Sequence, residues 1–204
     1  MKSLDQHSIH LKFQDFSREL AERKICPYTT ASIANETFKI RSFSDSNFEA
    51  GDFLKTCIIE TEKLRSELLA NGLGKYRVTN ILFDEWKSPK ALVDWVHWIL
   101  KVAYTSESIM FGKFIKGSTE TTKRKGLRIT PPCSFISIRE TAGKVDYDFL
   151  DETYAEILKN SIPTSKDVLY EKFGYTTNEI LLHNSKDAYQ FLVKESGKFL
   201  HDNN

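Results

Sequence analysis

Histidines are the first groups in this 204-residue chain whose type and position could carry chemistry. His7 and His10 are three residues apart, as two ligands of one metal can be, but no third ligand is near in sequence, so we expect two solvated imidazoles. His97 falls in a very apolar segment, where an imidazole is either a hydrogen-bonded core residue or a ligand. His183 follows a short helical segment, where it either caps the helix or binds a ligand.

Charged residues stand at the ends of two apolar segments. Arg139 and Glu140 end one segment, and such a pair either bonds internally or lines a cleft. Asp84 and Glu85 end the other, where their carboxylates would suit a cationic group of a substrate. Both positions are therefore candidates for substrate binding or catalysis.

A cationic loop follows in the range 123–128. Its four cations could hold a phosphate or a carboxylate, or they could remain solvated: Lys123, Arg124, Lys125 and Arg128. The whole chain has 29 Lys and Arg against 28 Asp and Glu, a net charge of +1, which argues against a nucleic-acid partner. The balance favours a small molecule or a protein as the partner, and a solvated loop as the simpler interpretation.

Several common enzyme classes are excluded by missing motifs. The sequence contains no G-x-G-x-x-G, P-loop, G-x-S-x-G or H-E-x-x-H pattern. Cys26, Cys57 and Cys133 form no C-x-x-C pair, so we expect reduced thiols, with Cys57 on the apolar stripe of a helix. The first residues lack the apolar run of a secretory signal, and no long apolar stretch follows, so we expect a cytoplasmic protein without a membrane span.

Hydrophobic periodicity predicts the elements that position these residues. Apolar residues at steps of three and four predict helices over 4–24, 52–70, 91–104, 147–158, 167–173 and 186–200. Apolar or alternating segments predict strands over 37–43, 77–83, 109–115 and 133–140. Pro27 is expected to end the first helix.

This element order predicts an α+β fold with a mixed or antiparallel sheet of about four strands and helices on one face. The strands over 109–115 and 133–140 should pair across a polar loop at 117–126. We expect residues 1–160 to form the core domain. Residues 161–204 would be a helical extension, packed on the core or placed at a homodimer interface.

Two segments together carry a family resemblance. Ile25-Cys26-Pro27-Tyr28 follows a helix, and Met110 to Phe114 precedes a polar loop and the segment Pro131 to Glu140. This pairing resembles poorly characterised bacterial domains with an early Cys-Pro-Phe motif and a Pro-x-Pro…Arg-Glu strand. The element order is also similar to the YqcI/YcgG family, over about residues 25–150. The matching positions are Cys26, Pro27, Phe114, Pro132, Arg139 and Glu140.

The resemblance implies a haem-dependent oxygenase acting on an amine or guanidine compound, since some YqcI/YcgG members hydroxylate a guanidine nitrogen. Ile115 stands where that pattern has a histidine, so His97, and after it His183, would be the replacement haem ligand. The matching Cys26, Arg139 and Glu140 would be catalytic. The predicted substrate-binding residues are Asp84, Glu85, Arg128 and Lys113.

A non-catalytic accessory or interaction protein is the alternative. It accounts for the missing histidine and for the C-terminal helices, whose apolar side chains could join a partner or a second copy: Tyr189, Phe191, Leu192, Phe199 and Leu200.

Overall fold

A computed structural model describes residues 6–43, 49–83, 89–121, 126–142, 146 and 152–201. The helices of these ranges are α1 (Gln6–Glu22), α2 (Pro27–Ala34), α3 (Ala50–Asn71), α4 (Pro89–Tyr104), α5 (Glu152–Lys159), α6 (Val168–Phe173), α7 (Thr177–Leu182) and α8 (Ser185–His201). The strands are β1 (Phe38–Phe43), β2 (Val78–Phe83), β3 (Ile109–Phe114), β4 (Glu120–Thr121), β5 (Arg128–Ile129) and β6 (Ser134–Glu140).

Four strands form a mixed sheet in the order β1-β2-β6-β3. Strand β1 runs parallel to β2, whereas β6 runs antiparallel to both β2 and β3. The predicted α+β fold is confirmed, and so is the pairing of the strands over 109–115 and 133–140. The mixed arrangement follows from the chain order, because helix α3 carries the chain from β1 back to a parallel β2.

Helices cover both faces of this sheet, so the expectation of helices on one face is wrong. Ile81 and Phe83 of β2 belong to a core that includes residues of α3 and α4. Leu82, whose side chain points the opposite way, packs in a second core with Phe13 of α1. All six residues of β2 are buried, as a central strand with apolar side chains on both faces requires.

Pro27 begins a helix, whereas α1 already ends at Glu22. Cys26 is the N-cap of α2 and has extended backbone angles, and Pro27 occupies the first turn, where its fixed φ suits a helix start. The sequence prediction contained only the end of α1 at this point. The loop predicted at 117–126 also differs, because β4 pairs with β5 in a short antiparallel ribbon.

The C-terminal helix α8 packs on the core against α3 and α4. Leu192 is fully buried, and the Trp98 Nε1–H donates a hydrogen bond of 3.1 Å to the Ser196 carbonyl. Gly51 allows α3 to approach the start of α8, because a Cβ there would lie 1.8 Å from the Ser185 carbonyl oxygen. The start of α8 is therefore joined to the core by close backbone contact.

The helices of the described ranges include none whose length and apolar character would let it cross a membrane.

A buried ion pair closes the edge of the sheet where β2 begins and β6 ends. The Arg77 Nη1 donates to Glu140 Oε2 at 2.8 Å, and Glu140 is completely buried. Its other oxygen accepts hydrogen bonds from the Gly74 and Tyr76 backbone N–H groups. Glu140 thus ties the α3–β2 connection to β6, and its ion pair with Arg77 depends on its negative charge.

We expect Glu140→Gln to lower the free energy of unfolding by about 3 kcal/mol, because the buried Arg77 guanidinium loses its hydrogen-bonded carboxylate and keeps only the half-exposed Glu67, 3.7 Å away. Urea denaturation followed by circular dichroism measures the change. The matched control is Asp15→Asn, since Asp15 forms an exposed pair with Arg18 at 3.0 Å and should show no measurable effect. Equal stability of the two variants would contradict this role of Glu140.

Candidate functional site

A cavity of about 330 Å³ lies between the sheet and helices α1 and α2. Sites for small molecules commonly enclose roughly 300 to 1,000 Å³, so the space suits a small organic ligand. Most of the wall is apolar, and aromatic rings supply much of it: Phe13, Phe16, Phe38, Phe114 and Phe135. The rings of Phe114 and Phe135 stack with centroids 4.4 Å apart.

The cavity exists because one row of the sheet carries short side chains. Ile40, Asn80, Ser137 and Gly112 are register partners across the four strands, and the last three line the cavity. The rows on either side carry larger side chains, such as Phe135 in one of them. A serine and a glycine between larger residues leave the middle of the sheet uncovered.

Gly112 has a specific steric role in this row. A Cβ at this position would lie 2.9 Å from Cε2 of the Phe114 ring. That ring therefore occupies the space that a side chain at position 112 would need. Glycine lets the ring lie over the strand and form part of the cavity wall.

Asn80 brings an unpaired polar group to the cavity. The residue is 3% exposed, and its Nδ2 has no hydrogen-bond partner. Most buried polar atoms in proteins are paired, because leaving one unpaired costs on the order of 1–3 kcal/mol. Because Asn80 is among the residues that line the cavity, a ligand that reaches its amide would supply the missing acceptor.

Arg139 and Asp146 form a charged pair at the cavity wall. The Arg139 Nη1 and Nη2 donate to the two Asp146 carboxylate oxygens at 2.9 and 2.5 Å, and Asp146 is 2% exposed. Burial alone would lower the pKa of Arg139, but the hydrogen bonds and charge of Asp146 raise it overall. Arg139 therefore stays charged at physiological pH, and its ion pair with Asp146 adds no net charge to the cavity.

The ring of Tyr28 packs against the guanidinium of Arg139. The Arg139 Cζ lies 4.4 Å from the ring centroid, in a cation–π contact. The Tyr28 hydroxyl donates to the Arg77 carbonyl at 3.0 Å, and burial raises the pKa of Tyr28 far above its usual value. Tyr28 is therefore a neutral phenol, and its ring positions the Arg139 guanidinium.

Cys26 lines the same cavity as Arg139, so the structure brings together two of the three residues predicted to be catalytic. Cys26 is partly exposed, whereas Cys57 and Cys133 are buried. Burial also raises the pKa of the Cys57 thiol well above its usual value, which makes that thiol unreactive. Cys26 is the cysteine that a molecule in the cavity can reach.

Glu140 does not join this group. It follows Arg139 on β6, so its side chain points to the opposite face of the sheet, where Arg77 holds it. The two alternatives for Arg139 and Glu140 are that they bond internally or that they line a cleft, and the two residues differ in this respect. Both form internal ion pairs with other residues, and only Arg139 also lines the cavity.

Of the predicted substrate-binding residues, the structure describes Lys113 and Arg128, and neither lines the cavity. Lys113 points to the other face of β3 and forms an ion pair with Asp94 of α4. Arg128 lies in the short strand β5 and is exposed. Asp84, Glu85 and the cations at 123–125 lie outside the described residues.

The two histidines predicted as haem ligands do not fit that role in the cavity. His97 packs against the other face of the sheet, and its Nε2–H donates to the Phe111 carbonyl at 3.1 Å, so the hydrogen-bonded core alternative describes it. His183 is the exposed C-cap residue of α7. Neither imidazole lines the cavity. Among the residues described, no three His, Cys, Asp or Glu side chains cluster as metal ligands.

A family model described as a domain of unknown function, DUF6875, matches residues 18–179. The chain belongs to this family. The DUF6875 match includes all four strands of the main sheet and most of the cavity wall, and it begins after Phe13, Phe16 and Ser17 of α1. No curated protein and no solved structure matches the chain.

Beyond Cys26 and Arg139, the sequence interpretation names none of the cavity residues as site candidates, including the ones that give the cavity its polar groups and its open row: Tyr28, Asn80, Gly112, Ser137 and Asp146. Asn80 did carry a signal, because asparagine is depleted in strands and here interrupts a run of apolar residues. Gly112 and Ser137 also stand inside predicted strands. Only the register of the strands shows that the three residues are neighbours.

In the native DUF6875 protein we expect iodoacetamide to alkylate Cys26 and to leave Cys57 and Cys133 unmodified. The expected result follows from the exposure of the three thiols. Intact mass and peptide mapping should show one adduct, and Cys26→Ser should show none until urea is added. Rapid labelling of a second cysteine in folded protein would contradict the assignment.

His97 should make the stability of the protein depend on pH. Burial lowers the pKa of His97 to about 4, with the nearby Lys101 and Lys113 acting in the same direction against the Phe111 hydrogen bond and Asp94. The unfolded chain binds this proton near pH 6.5, so stability is lost as pH falls below that value, and the loss ends near pH 4.

We expect this group to contribute a loss of about 2 kcal/mol between pH 7.5 and pH 5. The variant His97→Gln keeps an N–H donor for the Phe111 carbonyl and removes the titration, so its urea-unfolding stability should fall less over this interval. A variant with the same pH dependence as the wild type would show that His97 is not the responsible group.

Proposed function

We propose that the protein is a small-molecule enzyme whose substrate, a largely apolar organic compound, binds in the cavity between the sheet and helices α1 and α2. The cavity carries this proposal, since it combines the volume of a ligand site with aromatic walls and a few polar groups. The Cys26 thiol supplies a nucleophile at the wall, and the Arg139–Asp146 ion pair supplies a polar group without net charge.

The charges of the wall favour a neutral substrate over a cationic one. The Asp146 carboxylate is held by Arg139 and by the Ala142 backbone N–H at 2.6 Å, so it is committed to groups within the protein. An amine or guanidine compound would need a carboxylate without such partners. The residues that line the cavity therefore support a small-molecule site more directly than they support the finer proposal of a haem oxygenase.

The alternative of an interaction protein draws less support from the packing of α8. Leu192 is in the core, and Tyr189, Phe191 and Phe199 are partly buried against it. Leu200 is 43% exposed and remains available to a partner. Most of the apolar surface that motivated an interface is thus used within the fold.

Filling the cavity should abolish ligand binding without unfolding the protein. We expect Ser137→Leu to place an apolar side chain in the middle row of the sheet and to occupy the ligand space. Fluorobenzene is a suitable probe, because its ¹⁹F NMR signal should broaden and shift with wild-type protein and remain unchanged with Ser137→Leu.

The matched control is Ser42→Leu. Ser42 lies on the same face of the sheet as Ile40 but is exposed and outside the cavity, so this variant should bind fluorobenzene like the wild type. Absence of fluorobenzene binding to the wild-type protein would overturn the proposed function. Equal binding to the folded Ser137→Leu variant would place the probe elsewhere.

A further inference from the structure

We propose that the substrate carries a carbonyl-type oxygen that accepts a hydrogen bond from the Asn80 Nδ2, at the centre of the cavity floor. This inference rests on the proposed function and names the chemical class of the molecule. It requires a ligand with an apolar body, an oxygen acceptor such as that of a ketone, ester or amide, and no positive charge.

The unpaired amide is the first observation behind this assignment. Asn80 is 3% exposed in the fully buried central strand β2, and its Nδ2 is the buried side-chain nitrogen or oxygen without a partner among the residues described. Other buried polar side chains of the same part of the chain are paired, including Arg77 with Glu140 and Arg139 with Asp146. A group left unpaired in such an interior lowers the stability of the ligand-free protein.

The position of Asn80 is the second observation. It lies on the face of β2 that lines the cavity, between Val78 and Leu82, and its register partner on β6 is Ser137. Side chains of register partners have Cβ atoms about 5 Å apart. A single acceptor oxygen above this pair can therefore meet the Asn80 amide and the Ser137 hydroxyl together.

The rest of the cavity determines the remainder of the ligand. Phe13, Phe38, Phe114 and Phe135 surround the space with aromatic rings, and their faces and edges suit a flat apolar group. The charged pair of Arg139 and Asp146 lies one row away from Asn80 on β6 and is internally neutralised. A neutral carbonyl compound matches both features, whereas a hydrocarbon would leave Asn80 unpaired.

A pair of isosteric probes tests the inference. Acetophenone and α-methylstyrene have the same shape, but only the first has an oxygen acceptor. We expect wild-type protein to bind acetophenone about tenfold more tightly than its hydrocarbon isostere, measured by competition with fluorobenzene in ¹⁹F NMR.

Asn80→Leu should remove this preference, because leucine offers no donor. The same variant should raise the Tm of the ligand-free protein by about 3 °C, since the unpaired amide is gone. Asn80→Val serves as a second variant if leucine does not fold, and Asn160→Leu, at an exposed site, is the matched control that should retain the preference.

The outcomes separate this inference from the proposed function. If wild-type protein binds both probes equally, or if the folded Asn80 variants keep the preference for acetophenone, the role of Asn80 is overturned and the cavity remains a ligand site. If fluorobenzene itself does not bind to the wild-type protein, the proposed function fails as well.

Discussion

Alternation of side chains along β2 is the constraint on which the rest of the structure depends. A strand in the middle of a sheet must offer apolar side chains to both faces, and β2 does so with Ile81 and Phe83 on one face and Leu82 on the other. The first face packs on α3 and α4, and the second packs beneath α1. The cavity arises where this second face changes from large side chains to the row of Asn80 and its neighbours.

The two faces consequently differ in what they do. The face toward α3 and α4 is densely filled, and even His97 is held there by a hydrogen bond to the Phe111 carbonyl. The face toward α1 and α2 carries fewer fully buried apolar residues and encloses the cavity. Stability is concentrated on the first face, which leaves the second free to keep an open space and an unpaired amide at some cost to stability.

Much of the fold could be predicted from the sequence, because periodicity reports which residues share a face. The four long strands, their α+β arrangement and the pairing of β3 with β6 follow from alternation and from the order of elements. Helix α2 could not be recognised in this way, since its apolar periodicity is weak and Pro27 was interpreted only as the end of α1. The packing of helices on the second face of the sheet could not be predicted for a related reason, because α2 is one of the helices on that face.

The candidate site was harder to predict, because it is assembled by register. Cys26 and Arg139 were identified as single residues, but their shared cavity depends on where α2 crosses the sheet. Glu140 follows Arg139 on β6 but has a different role, because adjacent residues of a strand point to opposite faces of the sheet. For His97 the sequence leaves a hydrogen-bonded core residue and a ligand as alternatives, because the carbonyl that accepts its hydrogen bond belongs to a strand that sequence spacing does not connect with it.

Charge pairing in the interior also limits which molecules the cavity can hold. Among the described residues that line the cavity, Arg139 is the cation and Asp146 the anion, and the two are paired with each other. With these charges compensated, a charged ligand would enter the cavity without a counter-ion and would lose its hydration. A neutral molecule loses much less, and its oxygen gains the one buried donor of the described residues that the fold leaves unpaired. Under the proposed function, selection for a neutral, oxygen-bearing substrate thus comes as much from the ion pair that is complete as from the amide that is not.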